Sequence, residues 1–141
     1  MKEVHILLVE DNEGDILLTL DAFEESKIRT NISVVRNGAE ALDFLYRRGD
    51  YKEVNLPDLI LLYINLPIYN GHEVLKKIKE DTSLKKIPVI ILTTSSSQKD
   101  INKAYENYCN SYVSKPIDMD NFFKVTLKID EFWLQLSKLA K

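Results

Sequence analysis

Two pairs of side chains in this sequence could bind ions of opposite charge. Glu10 and Asp11 are adjacent carboxylates that follow a short apolar run, and such pairs favour a hard cation such as Mg2+. Thr93 ends another apolar run and Lys115 precedes a proline; a hydroxyl and an ammonium group suit the charge of a phosphoryl group. Either pair alone could belong to a solvated turn. Together they predict a site for a metal ion and a phosphoryl group.

A phenol stands in the same kind of position as these polar groups. Tyr63 ends a third apolar run, and Asn65 follows two residues later. Thr94 adds a second hydroxyl beside Thr93. These residues can act together only if the runs that carry them are strands that end at one edge of a sheet.

The runs themselves are typical of buried parallel strands. Three are apolar at consecutive positions, as strands covered on both faces of a sheet are. Segments with apolar residues at helical spacing separate the runs. The strands are predicted at residues 4–9, 31–35, 59–62, 89–92 and 111–114. We therefore predict an α/β domain with a doubly wound, five-stranded parallel sheet and helices on both faces.

Charge and hydropathy argue against two classes of partner. The net charge of −3 at pH 7 gives no broad basic surface for nucleic-acid phosphates. No apolar run approaches the roughly 20 residues that a membrane-spanning helix needs. With 141 residues, the chain can build one core and is too short for two ordinary domains. We expect one cytoplasmic domain over residues 1–141, with no nucleic-acid or membrane partner.

Four motifs carry a resemblance to a known family. Val-Glu-Asp-Asn, Leu-Leu-Tyr-Ile-Asn-Leu-Pro, Ile-Leu-Thr-Thr-Ser and Lys-Pro occur in the order and spacing of response regulator receiver domains, the CheY-like superfamily. The resemblance covers nearly the whole chain and is closest to the small single-domain regulators that pair with bacterial phytochromes. It implies a flavodoxin-like fold, a stand-alone receiver in a two-component phosphorelay, and a sensor histidine kinase as partner.

The resemblance also implies a role for each site residue. Glu10 and Asp11 would be Mg2+ ligands, the Asn65 backbone carbonyl would complete the metal site, and Tyr63 stands where the family has its phosphoacceptor aspartate. The resemblance implies that Thr93 and Lys115 are the switch pair that contacts the phosphoryl group. Tyr112 would be the aromatic residue that changes rotamer on activation. The peptide bond between Lys115 and Pro116 would be cis.

Tyr63 departs from the family pattern at its most important position. A phenol with a reference pKa near 10 is mostly neutral at pH 7 and is a poor Mg2+ ligand. We also expect its ring to occupy space that the phosphate and the metal-bound waters need. Aspartyl phosphorylation should therefore be lost and Mg2+ binding weakened. The chain could be a natural pseudo-receiver or a receiver changed at one codon, and the intact remainder of the site favours the second.

The final helix, expected at about residues 118–138, carries more apolar residues than one sheet contact needs. One stripe follows heptad spacing, and a second lies beside it together with Trp133. The stripes are Phe122, Val125, Ile129, Phe132, Leu136 and Leu139, and Met119, Phe123, Leu127 and Leu134. The second stripe could be a wide core contact or a surface for another chain. We favour a homodimer through this helix and the fifth strand.

An enzyme is the alternative class. A flavodoxin-like protein could use a bound nucleotide or flavin, and an absorbance spectrum of the purified protein would reveal a flavin. The glycines, however, form neither a GxGxxG motif nor a Walker loop. The serines at 95–97 have no His or Asp placed as a partner in the sequence, so we interpret them as a flexible loop. We expect no enzymatic activity.

Overall fold

Strands and helices alternate along the chain in the computed structural model, which describes residues 3–116 and 118–140. The strands are β1 (Val4–Val9), β2 (Thr30–Val35), β3 (Leu59–Leu62), β4 (Val89–Thr93) and β5 (Ser111–Ser114). The α-helices are α1 (Glu13–Glu24), α2 (Gly38–Leu45), α3 (Gly71–Glu80), α4 (Gln98–Glu106) and α5 (Met119–Ile129). A short 3-10 helix (Gly49–Tyr51) follows α2, and a π-helix (Asp130–Leu136) continues α5.

The five strands form one parallel sheet in the order β2-β1-β3-β4-β5. This confirms the predicted doubly wound α/β fold. The strand order reverses between β1 and β3, where the carboxyl ends of neighbouring strands open a crevice between their loops. All residues of β3 and β4 are buried, which explains the continuous apolar runs at 59–62 and 89–92.

Alternate residues of each strand enter two separate cores. Helices α2, α3 and α4 cover one face of the sheet, and α1 and α5 cover the other. Leu59 and Leu61 point toward α1 and α5, and Tyr63 continues that series two residues later. The side chain of Tyr63 thus lies on the α1–α5 face because of its register in β3.

Side-chain caps set where the helices begin. The Asn12 side chain accepts a hydrogen bond from the Asp15 backbone N–H at 2.9 Å and starts α1 immediately after the acid pair. The Asp118 side chain accepts from the Asp120 N–H and starts α5, as predicted. The cap at Asn12 also places Asp15 in the first turn of α1, where its carboxylate faces the sheet edge.

The C-terminal helical region differs from the two predicted stripes. Phe132 and Leu136 were assigned to the core-facing stripe but are exposed, whereas Leu134 from the second stripe is buried. The reason is the π-helix at Asp130–Leu136, whose wider turns shift the helical register after Ile129. Heptad spacing therefore describes α5 and fails beyond it.

Two expectations about the chain as a whole have different outcomes. Among the described residues, no helix has both the length and the apolar content that crossing a bilayer requires. The single domain expected over residues 1–141 includes positions 1, 2, 117 and 141, which lie outside the described residues. Its boundaries stay a prediction.

Candidate functional site

The carboxyl ends of the strands surround a cavity of about 170 Å3. Its lining brings together every predicted metal-ligand and phosphoryl-contact position. The lining residues are Glu10, Asp11, Asn12, Asp15, Tyr63, Ile64, Asn65, Thr93, Thr94 and Lys115. Of the predicted site residues, only Tyr112 lies outside this lining. Asp15 was not predicted, although an acid in the first turn of the helix that follows the acid pair could have drawn attention to it.

Glu10 carries an unsatisfied oxygen inside this site. Its side chain is 3% exposed, and Oε1 accepts a hydrogen bond from the Asn12 backbone N–H at 2.9 Å. Oε2 has no hydrogen-bond partner among the described residues. Burial raises the Glu10 pKa to about 7, with opposing contributions from the Asn12 N–H and from Lys115. A buried carboxylate oxygen without a donor is costly, and a divalent cation would satisfy it.

The donor set fits a weakly held Mg2+ ion. Asp11 and Asn65 are exposed and line the same cavity as Glu10. No group of three or more His, Cys, Asp or Glu side chains within residues 3–116 and 118–140 is arranged to hold a metal. An ion here would therefore depend on two carboxylates, a backbone carbonyl and waters, a set that Mg2+ commonly accepts.

The raised Glu10 pKa predicts how stability depends on pH without a metal. Since folding raises this pKa from 4.5 to about 7, the contribution of Glu10 to stability is complete below pH 4.5 and is lost as the pH rises through 7. Between about pH 5 and pH 8 in EDTA, the free energy of unfolding should fall by about 2 to 3 kcal/mol more for the wild type than for Glu10→Gln. Urea denaturation across that range measures the difference. Parallel curves for the two proteins would contradict the prediction.

Tyr63 packs as a core residue at the edge of this cavity. It is 4% exposed and belongs to the α1–α5 core with Leu8 and Phe122. Its hydroxyl has no hydrogen-bond partner in the described part of the chain. The nearby Thr19 hydroxyl slightly lowers the pKa of the Tyr63 phenol. The Thr19 hydroxyl donates its own hydrogen bond to the Asp15 carbonyl at 2.8 Å. Burial and the nearby Glu10 carboxylate raise the pKa of the phenol, so Tyr63 is neutral.

The Tyr63 ring borders the cavity without closing it. The Lys115 ammonium lies 4.6 Å from the centre of the Tyr63 ring, and the cavity beside them is about 170 Å3. A single ordered water needs only about 15 Å3. The β3 register directs the ring toward α1 and α5. That the ring takes space needed by the phosphate and the metal-bound waters stays a prediction. Tyr63 contributes no carboxylate to the cavity.

Tyr63→Asp should lower the stability of the metal-free protein. The change removes a buried aromatic ring, which typically costs about 3 kcal/mol, and places a third acid near Glu10 and Asp15. We expect a melting temperature lower by roughly 10 °C, measured by differential scanning calorimetry in EDTA. Tyr63→Phe is the control and should melt near the wild type, because the hydroxyl has no partner in the described residues. A higher melting temperature for Tyr63→Asp would refute this prediction.

Lys115 is held between acidic and aromatic groups. Its ammonium forms an ion pair with Asp15 Oδ2 and lies 3.9 Å from Glu10 Oε2. It also lies 5.6 Å from the centre of the Phe122 ring.

The resemblance implied that the bond between Lys115 and Pro116 would be cis, but the described residues contain no cis peptide bond, so it is trans. The trans isomer is also the intrinsically favoured one, by about 0.5–1 kcal/mol.

Hydrogen bonds connect Thr93 to Tyr112 through Ser95. The Ser95 N–H donates to Thr93 Oγ1 at 3.2 Å, and the Tyr112 hydroxyl donates to the Ser95 carbonyl at 2.9 Å. The Ser95 hydroxyl donates to Asp100 Oδ2 at 2.6 Å, and the other oxygen of Asp100 lies 3.3 Å from His72 Nε2. Ser95 is therefore anchored rather than part of a flexible loop, which corrects our interpretation of the serine run.

Comparisons with known proteins agree with this geometry. Residues 6–126 match the family described as "Response regulator receiver domain". Response regulator Rcp1 of Synechocystis sp. is 40% identical over 130 residues, which are 92% of this chain and 88% of that protein. The probable methanogenesis regulatory protein FilR2 of Methanothrix harundinacea is 42% identical over 129 residues, covering 92% of this chain and 83% of that protein.

Solved structures extend the similarity to the whole backbone. The phosphorylated cyanobacterial phytochrome response regulator RcpA matches with a TM-score of 0.97 and 40% identity, covering 99% of this chain and 100% of that one. The Mn2+-bound form of Rcp1 matches with a TM-score of 0.96 and 38% identity, covering 98% of this chain and 99% of that one.

Proposed function

This chain belongs to the response regulator receiver family, and on that premise we propose that it is a two-component receiver in which Tyr63 has abolished aspartyl phosphotransfer. The observation that carries the proposal is the buried, neutral phenol at the end of β3, beside an otherwise assembled site. An acyl phosphate forms when a carboxylate attacks phosphorus. The phenol offers no carboxylate, and its hydroxyl lies in the α1–α5 core.

The proposed roles of the remaining residues follow from their positions around the cavity. Glu10, Asp11 and the Asn65 carbonyl would hold Mg2+, which would neutralise the charge of a bound phosphoryl group. Thr93 and Lys115 would contact that group. Tyr112 would sense the change through its hydrogen bond to Ser95, since Ser95 also bonds to Thr93.

A sensor histidine kinase is the partner implied by the family, and we propose a phytochrome-like kinase in the cytoplasm. Support comes from RcpA, whose structure is described as a phytochrome response regulator and matches along its full length. Receiver domains are generally signalling proteins rather than enzymes, and an absorbance spectrum tests the flavin-binding alternative.

Incubation with acetyl phosphate and Mg2+ tests the loss of phosphotransfer. We expect the intact wild-type protein to gain no phosphate in its mass spectrum. An acid-stable, base-labile phosphate that hydroxylamine also releases would be an acyl phosphate and would overturn the proposal. A phosphate that resists base and maps to Tyr63 would show instead that the phenol had become an acceptor.

We further propose a homodimer through α5 and the edge strand β5. This face has a groove of about 510 Å3 along α5, and Met119 at its start is 65% exposed. Tyr108, just before β5, is also exposed. The groove is lined by Pro116, Asn121, Lys124, Val125, Leu127, Lys128 and Glu131. Large exposed apolar side chains around a groove are typical of protein interfaces.

Light scattering at tens of micromolar protein should give the mass of a dimer. Met119→Glu should shift the protein toward monomer, because it replaces an exposed apolar side chain of the proposed contact with a charge. Leu17→Glu is the matched control: Leu17 on α1 is also exposed, at 53%, but it does not line the groove. A monomeric wild type, or equal effects of the two substitutions, would count against this interface.

A further inference from the structure

The pairing of Lys115 with Asp15 has no counterpart among the residues that the receiver pattern assigns. Asp15 belongs to the first turn of α1. Its backbone N–H donates to the Asn12 side chain, and its carbonyl accepts a hydrogen bond from the Thr19 hydroxyl. Its side chain is 22% exposed, and that of Lys115 is 13% exposed. Both partners are thus largely shielded from water, where an ion pair is weakened less by salt than at the surface.

The same lysine has a second acid within reach. Lys115 Nζ lies 3.9 Å from Glu10 Oε2, which is beyond hydrogen-bonding distance, whereas it bonds directly to Asp15. Glu10 Oε2 consequently has no donor among the described residues. If Asp15 lost its charge, Glu10 would be the nearest acid for the ammonium, because Tyr63 supplies none.

We infer that Asp15 is a positioning residue that holds Lys115 on the α1 side of the cavity and so leaves Glu10 Oε2 open to a divalent cation. The inference rests on the proposed cation site at Glu10 and Asp11. In this chain Asp15 supplies the negative charge that a carboxylate at the end of β3 would otherwise place near the lysine. Without Asp15, the lysine and the cation would compete for Glu10.

A double-mutant cycle on Mn2+ affinity tests this competition. Mn2+ binding is measured by electron paramagnetic resonance for the wild type, Asp15→Asn, Lys115→Met and the double variant. Asp15→Asn should weaken Mn2+ binding about tenfold when Lys115 is present and less than about twofold when Lys115 is Met. Equal weakening in both backgrounds would mean that Asp15 acts only as a general negative charge, and the inference would fail.

Two further variants separate this role from a structural one. Asp15→Glu keeps the charge and should recover most of the Mn2+ affinity. Glu13→Gln removes the same charge from the same helix, but Glu13 pairs with Arg36 at 2.6 Å, so Mn2+ affinity should change less than about twofold. A tenfold loss in Glu13→Gln would overturn the inference.

Urea unfolding of the same four proteins in EDTA tests the pairing of Asp15 with Lys115 without a metal. Asp15→Asn should lower the unfolding midpoint clearly with Lys115 present and much less in Lys115→Met. Additive effects would show that the two residues are not paired in solution and would overturn the inference. If none of the four binds Mn2+, the proposed cation site fails, and the unfolding cycle still decides whether Asp15 holds Lys115.

Discussion

Tyr63→Asp should restore phosphorylation by acetyl phosphate and Mg2+, taking the phosphorylated fraction from none to most of the protein. The substitution supplies the one group that the cavity lacks, a carboxylate that can attack phosphorus and help to hold the metal. Glu10, Asp11, Thr93 and Lys115 already line the cavity. Mass spectrometry of the intact protein, with and without base treatment, measures the acyl phosphate.

Tyr63→Asn is the matched control for that experiment. Asparagine has nearly the same size as aspartate and removes the same aromatic ring, but it offers no nucleophilic carboxylate. It should stay unphosphorylated. Labelling of both variants would place the phosphate on another residue. Labelling of neither would mean that the cavity lacks more than the acceptor, and the proposal that Tyr63 alone disables the site would be wrong.

Gly71→Ala should destabilise the protein by about 3 kcal/mol and lower its melting temperature by roughly 10 °C. A Cβ at Gly71 would lie 2.3 Å from the Tyr63 carbonyl oxygen and 2.7 Å from Ile64 Cα. Both are backbone atoms at the end of a buried strand, so neither can rotate away as a side chain could. The Gly71 N–H also donates to the Ile64 carbonyl at 2.8 Å, which fixes α3 against β3.

Gly14→Ala is the control for the general effect of replacing glycine in a first helical turn. The nearest atom to a Cβ at Gly14 is the side-chain atom Asn12 Oδ1 at 3.3 Å, which needs to move by only a few tenths of an ångström. Alanine favours helix by up to about 1 kcal/mol over glycine, so this variant should be as stable as the wild type or slightly more so. Differential scanning calorimetry compares the two. Equal melting temperatures for Gly71→Ala and the wild type would contradict the predicted clash.

The Gly71 contact also connects stability to the site. Displacing α3 from the end of β3 would move the loop that carries Asn65. In a Tyr63→Asp background, Gly71→Ala should therefore lower the yield of acyl phosphate even under conditions where the protein stays folded.

The fold could be predicted closely because its signals are local. Continuous apolar runs marked the central strands. The predicted bounds of all five strands differ from the observed ones by at most one residue, as at Thr30 and Thr93. The site could be predicted because parallel strands necessarily present their carboxyl ends at one edge. The C-terminal region was harder, since the π-helix changes the period on which a heptad interpretation depends.

By itself, the sequence determined the fold class, the residues gathered at the sheet edge, and the absence of a carboxylate at Tyr63. Each follows from residue type and from spacing along one strand or helix. Only the tertiary structure decided where the Tyr63 ring lies and which acid holds Lys115. The ring direction depends on how β3 faces α1 and α5, and the pairing joins residues 100 positions apart. Contacts of that kind are set by packing between elements, which no local pattern encodes.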